Sequence, residues 1–230
     1  MVVNRENDAQ AVAVLFSAGL DSAVLLADAA SKGTAIPIYV ASGLAWEAAE
    51  QSAIDRLLAA PPYRRNVSGA IKLHVDMRDV FPATHWAIRG KAPAFDTPDA
   101  DVYIEGRNII LLSKAAVFMA RAGLTRVLMG PLAGNPFPDA TPEFFHAMAL
   151  ALGLGLGTEI TIEAPYSGLH KADVIRVGAA LGVPFGLTLS CMQPIGGLHC
   201  GQCSKCRERR DAFSEAGVED PTRYATKPAR

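Results

Sequence analysis

The stretch Leu15-Phe16-Ser17-Ala18-Gly19-Leu20-Asp21-Ser22 decides the fold class of this chain. It ends an apolar run of strand length, residues 11–16, and opens an Ala- and Leu-rich run without a helix breaker, residues 22–30. A strand, a short loop of small residues and a helix are therefore expected in that order. Free N–H groups of the loop and of the first helical turn would face one space and attract an anion. The pattern predicts a phosphate-binding loop over residues 16–22.

Asp21 gives this loop a carboxylate, which would repel a bare phosphate group. We therefore expect Asp21 to bind the Mg²⁺ that accompanies a nucleoside triphosphate, or to orient water around that ion. The alternative is an ordinary turn from strand to helix, in which the side chain of Asp21 only caps the helix.

Length and charge narrow the possible functions. The chain has 230 residues, enough for one α/β core with a small appended segment. Its net charge is −1 and 20% of its residues are charged, so small-molecule partners are expected and a nucleic acid is not. No apolar stretch has membrane-spanning length, and the polar residues 1–10 do not resemble a signal sequence. These features predict a cytoplasmic protein without a membrane partner.

All four cysteines lie in one short stretch with the pattern C-x8-C-x2-C-x2-C: Cys191, Cys200, Cys203 and Cys206. In a reducing cytosol such a cluster indicates metal ligands rather than disulfides. Four thiolates around one tetrahedral Zn²⁺ would make a closed, structural site. An iron–sulfur cluster is the alternative, although ferredoxin-type patterns place the fourth cysteine downstream and before a proline. Four unligated buried thiols are the remaining possibility.

Apolar runs alternate with helical patterns, which predicts repeated β-α units and a doubly wound, mostly parallel α/β sheet. The expected strands cover residues 12–16, 36–41, 71–75, 126–130 and 159–164. The expected helices cover residues 21–31, 46–60, 108–122, 142–152, 171–181 and 204–216. The Pro-rich segment 82–103 interrupts this alternation and is expected to be either an active-site lid or a disordered surface loop. Residues 147–157 are expected to be a packed helix end and turn.

Two positively charged residues stand at expected helix starts. Arg107, between Gly106 and Asn108, could bind a phosphate or carboxylate through two N–H groups, although Asn108 could simply cap that helix. A lysine at position 171 is unfavourable against the positive end of a helix dipole unless an anion lies nearby. Lys171 is therefore expected to be a phosphate ligand, with an exposed helix lysine as the alternative.

The loop after the fourth expected strand supplies candidates for binding the substrate. Open α/β folds bind ligands at the carboxyl edge of the sheet, where Asn135, Asp139 and Glu143 are expected. The carboxylates of Asp139 and Glu143 could accept hydrogen bonds from the N–H groups of a heterocycle. They could equally cap the helix that is expected to begin near Pro142.

Residues 17–22 resemble the Ser-Gly-Gly-x-Asp-Ser loop of the N-type ATP pyrophosphatases, the PP-loop superfamily. Within that superfamily the chain is similar to the 7-cyano-7-deazaguanine synthases, which make the nitrile precursor of queuosine and archaeosine. The similarity is carried by Gly106-Arg107-Asn108, by Lys171-Ala172-Asp173, and most specifically by His199-Cys200-Gly201-Gln202-Cys203-Ser204-Lys205-Cys206. It covers nearly the whole chain and implies an adenine nucleotide alpha hydrolase-like, Rossmann-like fold. Residues 1–186 would form a PP-loop ATP-binding domain, and residues 187–230 a zinc-binding segment packed on it.

The resemblance also implies an ATP-dependent ligase. ATP would activate the carboxylate of 7-carboxy-7-deazaguanine, ammonia would form the amide, and a second activation would dehydrate the amide to the nitrile. Residues 16–22 would bind ATP with Mg²⁺, Arg107 and Lys171 would stabilise charge during transfer, and the four cysteines would bind one structural Zn²⁺. Asn135, Asp139 and Glu143 are then the candidates for binding the deazapurine, and homodimerisation is an expectation of the family.

The chain departs from the family pattern at several positions. Ala18 replaces the second glycine of the loop, so position 18 is expected to avoid a positive φ. Glu105 replaces a proline before Gly106. The Asp-Tyr-Gly-Gln-x-His segment that follows the second strand in the family is replaced by the mostly apolar residues 40–47, and the Tyr-Ser-Gly-Tyr-Pro-Asp region is shortened to residues 135–139. These changes affect the walls of the expected substrate site, so the sequence does not fix the identity of the acceptor substrate.

Three alternatives follow. A ligase of this type could couple a deazapurine or another acid to a different amine. A zinc-stabilised nucleotide- or RNA-binding protein could use the cationic residues of the last helix, although we expect them to form a solvated helix face: Lys205, Arg207, Arg209 and Arg210. A tRNA thiolase would need a catalytic thiol or an iron–sulfur cluster, and zinc would occupy all four cysteines.

Overall fold

The computed structural model describes residues 11–226, apart from the side chain of Asp99. The polar segment 1–10, interpreted above as no signal sequence, lies outside these residues. Five strands form one sheet in the order β3-β2-β1-β4-β5, and every pair is parallel. The strands are β1 (Val12–Leu15), β2 (Ala35–Ala41), β3 (Ile71–His74), β4 (Arg126–Leu128) and β5 (Thr161–Glu163). The predicted doubly wound parallel sheet is confirmed, and the observed strands are one to three residues shorter than expected except for β2.

Seven α-helices connect and follow the strands within the described residues. They are α1 (Leu20–Lys32), α2 (Glu47–Leu58), α3 (Trp86–Arg89), α4 (Arg107–Ala122), α5 (Pro142–Leu156), α6 (Lys171–Ala180) and α7 (Ser204–Ala216). Six of them match the expected helices within a few residues, and the four-residue α3 was not predicted. Helix α5 continues through the expected turn region to Leu156, where Gly157 adopts φ +63° and ends the helix.

The sheet separates two apolar layers. Helices α1, α2, α6 and α7 bury side chains against one face, and α4 and α5 cover the other. Every residue of β2 is buried because both faces of this strand are covered, which explains why β2 has no polar alternation. Helices α1 and α6 pack closely: a Cβ at Gly178 would lie 2.6 Å from side-chain atoms of both Val24 and Phe185.

The chain reverses its direction of winding between β1 and β4. It moves outward from β1 to β3, crosses the sheet through α4, and returns to pair β4 with the other edge of β1. The carboxyl ends of two neighbouring strands then diverge and open a crevice, which is where doubly wound sheets bind ligands. The loop that follows β1 lies at this crevice.

Residues 82–103 are ordered and form part of a third apolar cluster, so the expectation of a disordered loop is wrong. Trp46 and Trp86 stack with their ring centroids 5.6 Å apart, and Phe81, Val102 and Ile104 are buried beside them. We call residues 81–104 the lid segment. It packs over the carboxyl edge of the sheet next to β2.

The cysteine-bearing segment packs on the same core as α1 rather than standing apart. All four cysteines are buried in the apolar cluster that includes α1 and α6. Arg207 of α7 donates hydrogen bonds to the carbonyl groups of Phe95 and Thr97 in the lid segment. Helix α7 therefore joins the core, the cysteine cluster and the lid segment.

Among residues 11–226, the structure contains no helix with the length and apolar character needed to cross a bilayer.

Candidate active site

The phosphate loop, residues 16–22, is closed by its own hydroxyl groups. The N–H of Gly19 donates to Ser17 Oγ at 3.3 Å, and Ser22 Oγ donates to the carbonyl of Gly19 at 3.1 Å. Gly19 is the N-cap residue of α1 and no side chain caps this helix end. Asp21 lies in the first turn of α1, so the alternative of an aspartate N-cap is wrong. The helix keeps free N–H groups beside the crevice, as an anion site requires.

Ala18 adopts φ +59°, so the expectation that position 18 avoids a positive φ is wrong. The side chain is fully buried, and the carbonyl of Ala18 accepts a hydrogen bond from the N–H of Leu189 at 2.8 Å. The turn therefore keeps a left-handed residue even without glycine, at a cost of about 1–2 kcal/mol. The contact with Leu189 fixes the loop to the segment that leads into the cysteine cluster.

Four charged side chains form a row beside the phosphate loop. Lys171 Nζ lies 3.2 Å from Asp21 Oδ2 and also contacts Glu208 Oε1, and Lys205 Nζ lies 2.6 Å from Glu208 Oε2. The alternative of an exposed lysine at position 171 is wrong, since its side chain is only 15% exposed. The anions that this helix end requires are the carboxylates of Asp21 and Glu208.

Burial and charge act in opposite directions on this row. Burial alone would lower the pKa of Lys171, but the carboxylates of Asp21 and Glu208 outweigh it and raise that pKa. Burial would raise the pKa of Glu208, but Lys171 and Lys205 outweigh it and lower that pKa to about 2. Both groups are therefore charged at neutral pH. These residues line a small cavity of about 140 Å³ together with the loop 130–137, and we call it the charged pocket.

A second cavity of about 270 Å³ opens at the ends of β1, β2 and β4, and we call it the cleft. Tyr103 and Phe137 stack at its wall with their ring centroids 5.1 Å apart. The cleft and the charged pocket share the loop that follows β4 as a common wall: Gly130, Pro131, Asn135 and Phe137. Most residues that line the cleft are aromatic or apolar, although Arg107, Asn135 and Asp139 also line it, whereas the charged pocket is lined by four ionic side chains.

Arg107 lies in the cleft at the first residue of α4. The preceding Gly106 adopts φ +69° and is the N-cap residue, so the alternative that Asn108 caps this helix is wrong. The Nε atom of Arg107 is buried and has no hydrogen-bond partner among the described residues. An unpaired buried donor is costly, and a carboxylate or phosphate in the cleft would pair it. Arg107 and Lys171, expected to act together, line neighbouring cavities.

Beneath the cleft lies a buried acid that sequence reasoning missed. Glu50 of α2 accepts hydrogen bonds from the hydroxyl of Tyr39 at 2.9 Å and from Nε1 of Trp46 at 3.2 Å. Burial raises the pKa of Glu50 to about 7, and the positive charge of Arg107 partly opposes that shift. Tyr39 lines the cleft, so Glu50 fixes one of its walls. The mixed polar and alanine-rich sequence around Glu50 gave no signal that this helix faces the site.

The three substrate candidates lie at different depths. Asn135 lines both cavities, and its Oδ1 accepts a hydrogen bond from the N–H of Phe137 at 2.9 Å. Asp139 is buried at the cleft, where its Oδ2 accepts from the N–H of Asn108 at 3.0 Å. Asp139 therefore stabilises the start of α4, and Thr141 is the N-cap of α5, so the alternative that Asp139 caps α5 is wrong. Glu143 is exposed in the first turn of α5 and is not part of the cleft wall.

The four cysteines converge on one point. Their Sγ atoms all lie within 4.8 Å of one another, with separations of 3.9 Å, 3.8 Å and 3.5 Å for three of the pairs. Four thiolates about 2.3 Å from one tetrahedral ion lie about 3.8 Å apart. Backbone N–H groups donate to these sulfurs, including that of Cys200 to Cys191 Sγ at 3.2 Å. Such donors favour the thiolate form, so the cluster fits one metal ion.

The expected solvated face of α7 is wrong. Arg209 is only 1% exposed and donates to Thr188 Oγ1, Ser190 Oγ, Thr222 Oγ1 and the carbonyl of Phe185. Lys205 and Arg207 are half-buried at the charged pocket and the lid segment. These cationic residues of α7 therefore contact other parts of the chain instead of forming a solvated face.

Comparison with known proteins agrees with this architecture. The family model described as "Queuosine biosynthesis protein QueC" matches residues 10–217. A 7-cyano-7-deazaguanine synthase of Anaeromyxobacter dehalogenans is 34% identical, over 95% of this chain and 97% of its own length. Those of Myxococcus xanthus and Kineococcus radiotolerans are 38% and 37% identical, each over 92% of this chain and 96% of its own length.

Among solved structures, a U34-tRNA thiolase NcsA from Methanococcus maripaludis with its [4Fe-4S] cluster is similar with a TM-score of 0.46 and 12% identity. The similarity covers 93% of this chain and 69% of that one. The sequence comparisons span nearly the full length of both partners. The chain therefore belongs to the QueC family of queuosine biosynthesis proteins.

Proposed function

We propose that this protein is an ATP-dependent carbon–nitrogen ligase that converts 7-carboxy-7-deazaguanine and ammonia to 7-cyano-7-deazaguanine. One observation carries the proposal. A carboxylate oxygen of the phosphate loop and an arginine nitrogen of the adjacent aromatic cleft are both buried without a hydrogen-bond partner among residues 11–226. A nucleotide with its Mg²⁺ and an acidic heterocycle would satisfy the two groups together. The relatives named 7-cyano-7-deazaguanine synthase support the choice of substrate.

The nucleotide side rests on the phosphate loop and the charged pocket. Asp21 Oδ1 is buried without a hydrogen-bond partner among the described residues, which suits a ligand to the Mg²⁺ that enters with ATP. The uncapped N-terminus of α1 offers N–H groups to the phosphates. Lys171 stays charged beside Asp21 and stabilises the negative charge that grows on the leaving phosphate.

The acceptor side rests on Arg107 and the aromatic wall. The Arg107 guanidinium would bind the acceptor's carboxylate through two N–H groups, while Tyr103 and Phe137 pack against the ring. Asp139 and Asn135 lie close enough to the cleft to accept or donate hydrogen bonds at the ring edge. Glu143 would contact a substrate only after a change in the α5 region, so it is the weakest of the candidates.

The chemistry divides into two activations. A carboxylate oxygen attacks phosphorus of ATP, the P–O bond to the leaving phosphate breaks, and the mixed anhydride forms. Ammonia then displaces the activated oxygen with loss of one proton and leaves the amide. In the second activation the amide oxygen takes the phosphorus group, and loss of two N–H protons together with that oxygen gives the nitrile. Two molecules of ATP are consumed for each nitrile formed.

Zinc is the metal we propose for the four cysteines. A closed shell of four thiolates around one ion leaves no open position, so the ion would cross-link the segment and perform no step of the reaction. Thiolates that bind separate irons of a four-iron cluster lie farther apart than thiolates that share one ion. The measured sulfur separations therefore favour zinc over the iron–sulfur alternative.

A different acceptor is the second candidate, and one observation favours it. The segment that replaces the family's polar residues after β2 places Leu44 and Trp46 in the apolar cluster of the lid segment. Glu47 is used to accept the N–H groups of Ser42 and Gly43, which fixes that loop. Groups that would bind ammonia or a polar substrate edge are therefore fewer here, and a ligase with another acid or amine would share the same ATP site.

The test is a product analysis. Purified protein is incubated with ATP, Mg²⁺, ammonium and 7-carboxy-7-deazaguanine, and the products are followed by mass spectrometry beside Asp21→Ala and the exposed control Asp55→Ala. A nitrile that forms in the wild type and the control but not in Asp21→Ala supports the proposal. ATP turnover with an amide or adenylate that goes no further favours the second candidate. No ATP turnover at all contradicts both.

A further inference from the structure

Two side chains of helix α7, Lys205 and Glu208, extend from the cysteine segment toward the phosphate loop. Glu208 contacts both Lys171 and Lys205, and Lys171 also contacts Asp21. The four groups form one continuous row in which negative and positive charges alternate. Their side chains are only 15–26% exposed, so this row is partly shielded from water, unlike an ordinary surface ion pair.

The row lines the charged pocket, whose opposite wall is the loop 130–137. An ammonium group has three N–H donors, and Glu208 takes one of the donors of Lys205. Lys205 therefore keeps donor capacity for an anion in the cavity that it lines. At about 140 Å³ the pocket is roughly half the size of the cleft, which suits phosphate groups better than a purine-sized ring.

The backbone at Lys205 is held on both sides. Cys203 and Cys206 flank it and both belong to the four-cysteine cluster, so a bound metal ion would fix the first turn of α7. The N–H of Ser204 also donates to the carbonyl of Pro93 in the lid segment at 3.3 Å. A cation on such a rigid support is pre-organised to meet a charged ligand.

We propose that Lys205 and Lys171 together bind the inorganic phosphate product that the reaction forms from ATP, and that Glu208 is the positioning residue that holds their ammonium groups side by side. The inference rests on the ATP use in the proposed function and is independent of the acceptor. Attack of the carboxylate at the α-phosphorus of ATP expels inorganic diphosphate. Attack at the γ-phosphorus expels ADP, and orthophosphate is then released when ammonia displaces it from the acyl phosphate. Both inorganic products offer oxygen atoms that accept charge-assisted hydrogen bonds from lysine.

The first test is a calorimetric titration of each anion, with Mg²⁺ present, into protein of equal metal content. Lys205→Met should weaken binding of the preferred anion about tenfold, since one charged hydrogen bond is lost. Lys205→Arg should restore binding to within threefold of the wild type, and the exposed control Lys114→Met should not change it. Diphosphate binding that is stronger than orthophosphate binding indicates diphosphate as the inorganic product, and the reverse indicates orthophosphate. Equal binding by Lys205→Met and Lys114→Met overturns the proposal.

The second test uses Glu208→Gln, a substitution that leaves all four cysteines in place. Removing this negative charge should leave anion binding as tight as before or tighter, whereas kcat for ATP turnover should fall about tenfold because the two lysines lose their common anchor. A kcat within twofold of the wild type overturns the positioning role. A wild type that binds the anion yet forms no nitrile contradicts the proposed function alone.

Discussion

The charged pocket and the cleft lie side by side and share one wall, yet they are built on different principles. The charged pocket holds its four ionic groups in mutual contact before any ligand arrives. The cleft has aromatic walls and one arginine whose Nε lacks a partner among residues 11–226. In the charged pocket each ionic group has a partner of opposite charge, although Asp21 Oδ1 has no hydrogen-bond partner among the described residues. In the cleft the Nε atom of Arg107 has no hydrogen-bond partner within residues 11–226. The difference indicates that the charged pocket, which we propose for ATP, is arranged more fully before a ligand binds than the cleft is.

The largest expected effect tests whether the metal supports both cavities. Cys206→Ser removes one of the four proposed metal ligands next to Lys205 and Glu208, and we expect it to lower the free energy of unfolding by at least about 5 kcal/mol. ATP binding should be lost together with the metal, measured by elemental analysis and calorimetry. The exposed Ser214→Ala on the same helix is the matched control. A stable, metal-free variant that still binds ATP would separate the cysteine cluster from the charged pocket.

The next largest effect tests the proposed role of Asp21 in binding ATP and Mg²⁺. Asp21→Asn keeps the size of the side chain but removes its negative charge, and we expect kcat/KM for ATP to fall about 1000-fold, or roughly 4 kcal/mol. The exposed Asp55→Asn should match the wild type. A higher Mg²⁺ concentration should partly restore kcat/KM of Asp21→Asn if the carboxylate binds that ion. A kcat/KM that does not change with Mg²⁺ concentration would argue against such a role.

The buried Glu50 beneath the cleft makes the stability of the folded protein depend on pH. Its pKa is raised from 4.5 to about 7 by burial, so the folded protein binds more protons than the unfolded chain between these values. The stability from protonated Glu50 is full below about pH 4.5 and is lost as pH rises through about 7, on the order of 3 kcal/mol in total.

Glu50→Gln should therefore be the more stable protein at pH 8 and show a flatter pH profile, measured by urea unfolding from pH 4.5 to 8. The exposed Glu215→Gln serves as the control and should follow the wild-type profile. Parallel profiles for Glu50→Gln and the wild type would mean that Glu50 is ionised throughout and that Arg107 compensates its burial.

A smaller effect separates the two cavities. Arg107→Lys keeps the positive charge but loses the two-pronged contact, and we expect the KM for 7-carboxy-7-deazaguanine to rise about tenfold. The Kd for ATP should stay within twofold, and the exposed Arg121→Lys on the same helix should change neither value. Weaker ATP binding with an unchanged KM for the acceptor would show that Arg107 binds the nucleotide rather than the acceptor.

The smallest effect concerns the backbone of the phosphate loop. Ala18→Gly relieves a left-handed alanine but removes a buried methyl group, and these contributions of about 1–2 and about 0.8 kcal/mol nearly cancel. We expect a gain in stability below about 1 kcal/mol, measured by thermal unfolding, with an unchanged Kd for ATP. A clear loss of stability would show that packing of the Ala18 methyl group outweighs the backbone strain.

Local sequence predicted most of the sheet and helices because the signals are short in range. Apolar runs, small loop residues and the cysteine spacing each act within about twenty residues, and the observed elements follow them. The failures share a physical cause. The left-handed Ala18, the buried Arg209 and the capping of α4 by Asp139 all depend on partners more than ten residues away. A pattern in one segment does not report which distant segment will contact it.

The sequence by itself determined a phosphate loop after a buried strand, a parallel doubly wound sheet and four cysteines spaced for one metal ion. Only the tertiary structure decided that Lys205 and Glu208 reach that loop, that the lid segment walls the cleft, and that Glu50 lies beneath it. The reason is that propensity and spacing are properties of neighbours along the chain. Burial, pairing of charges and shared cavity walls arise when strands, helices and loops from distant positions pack together.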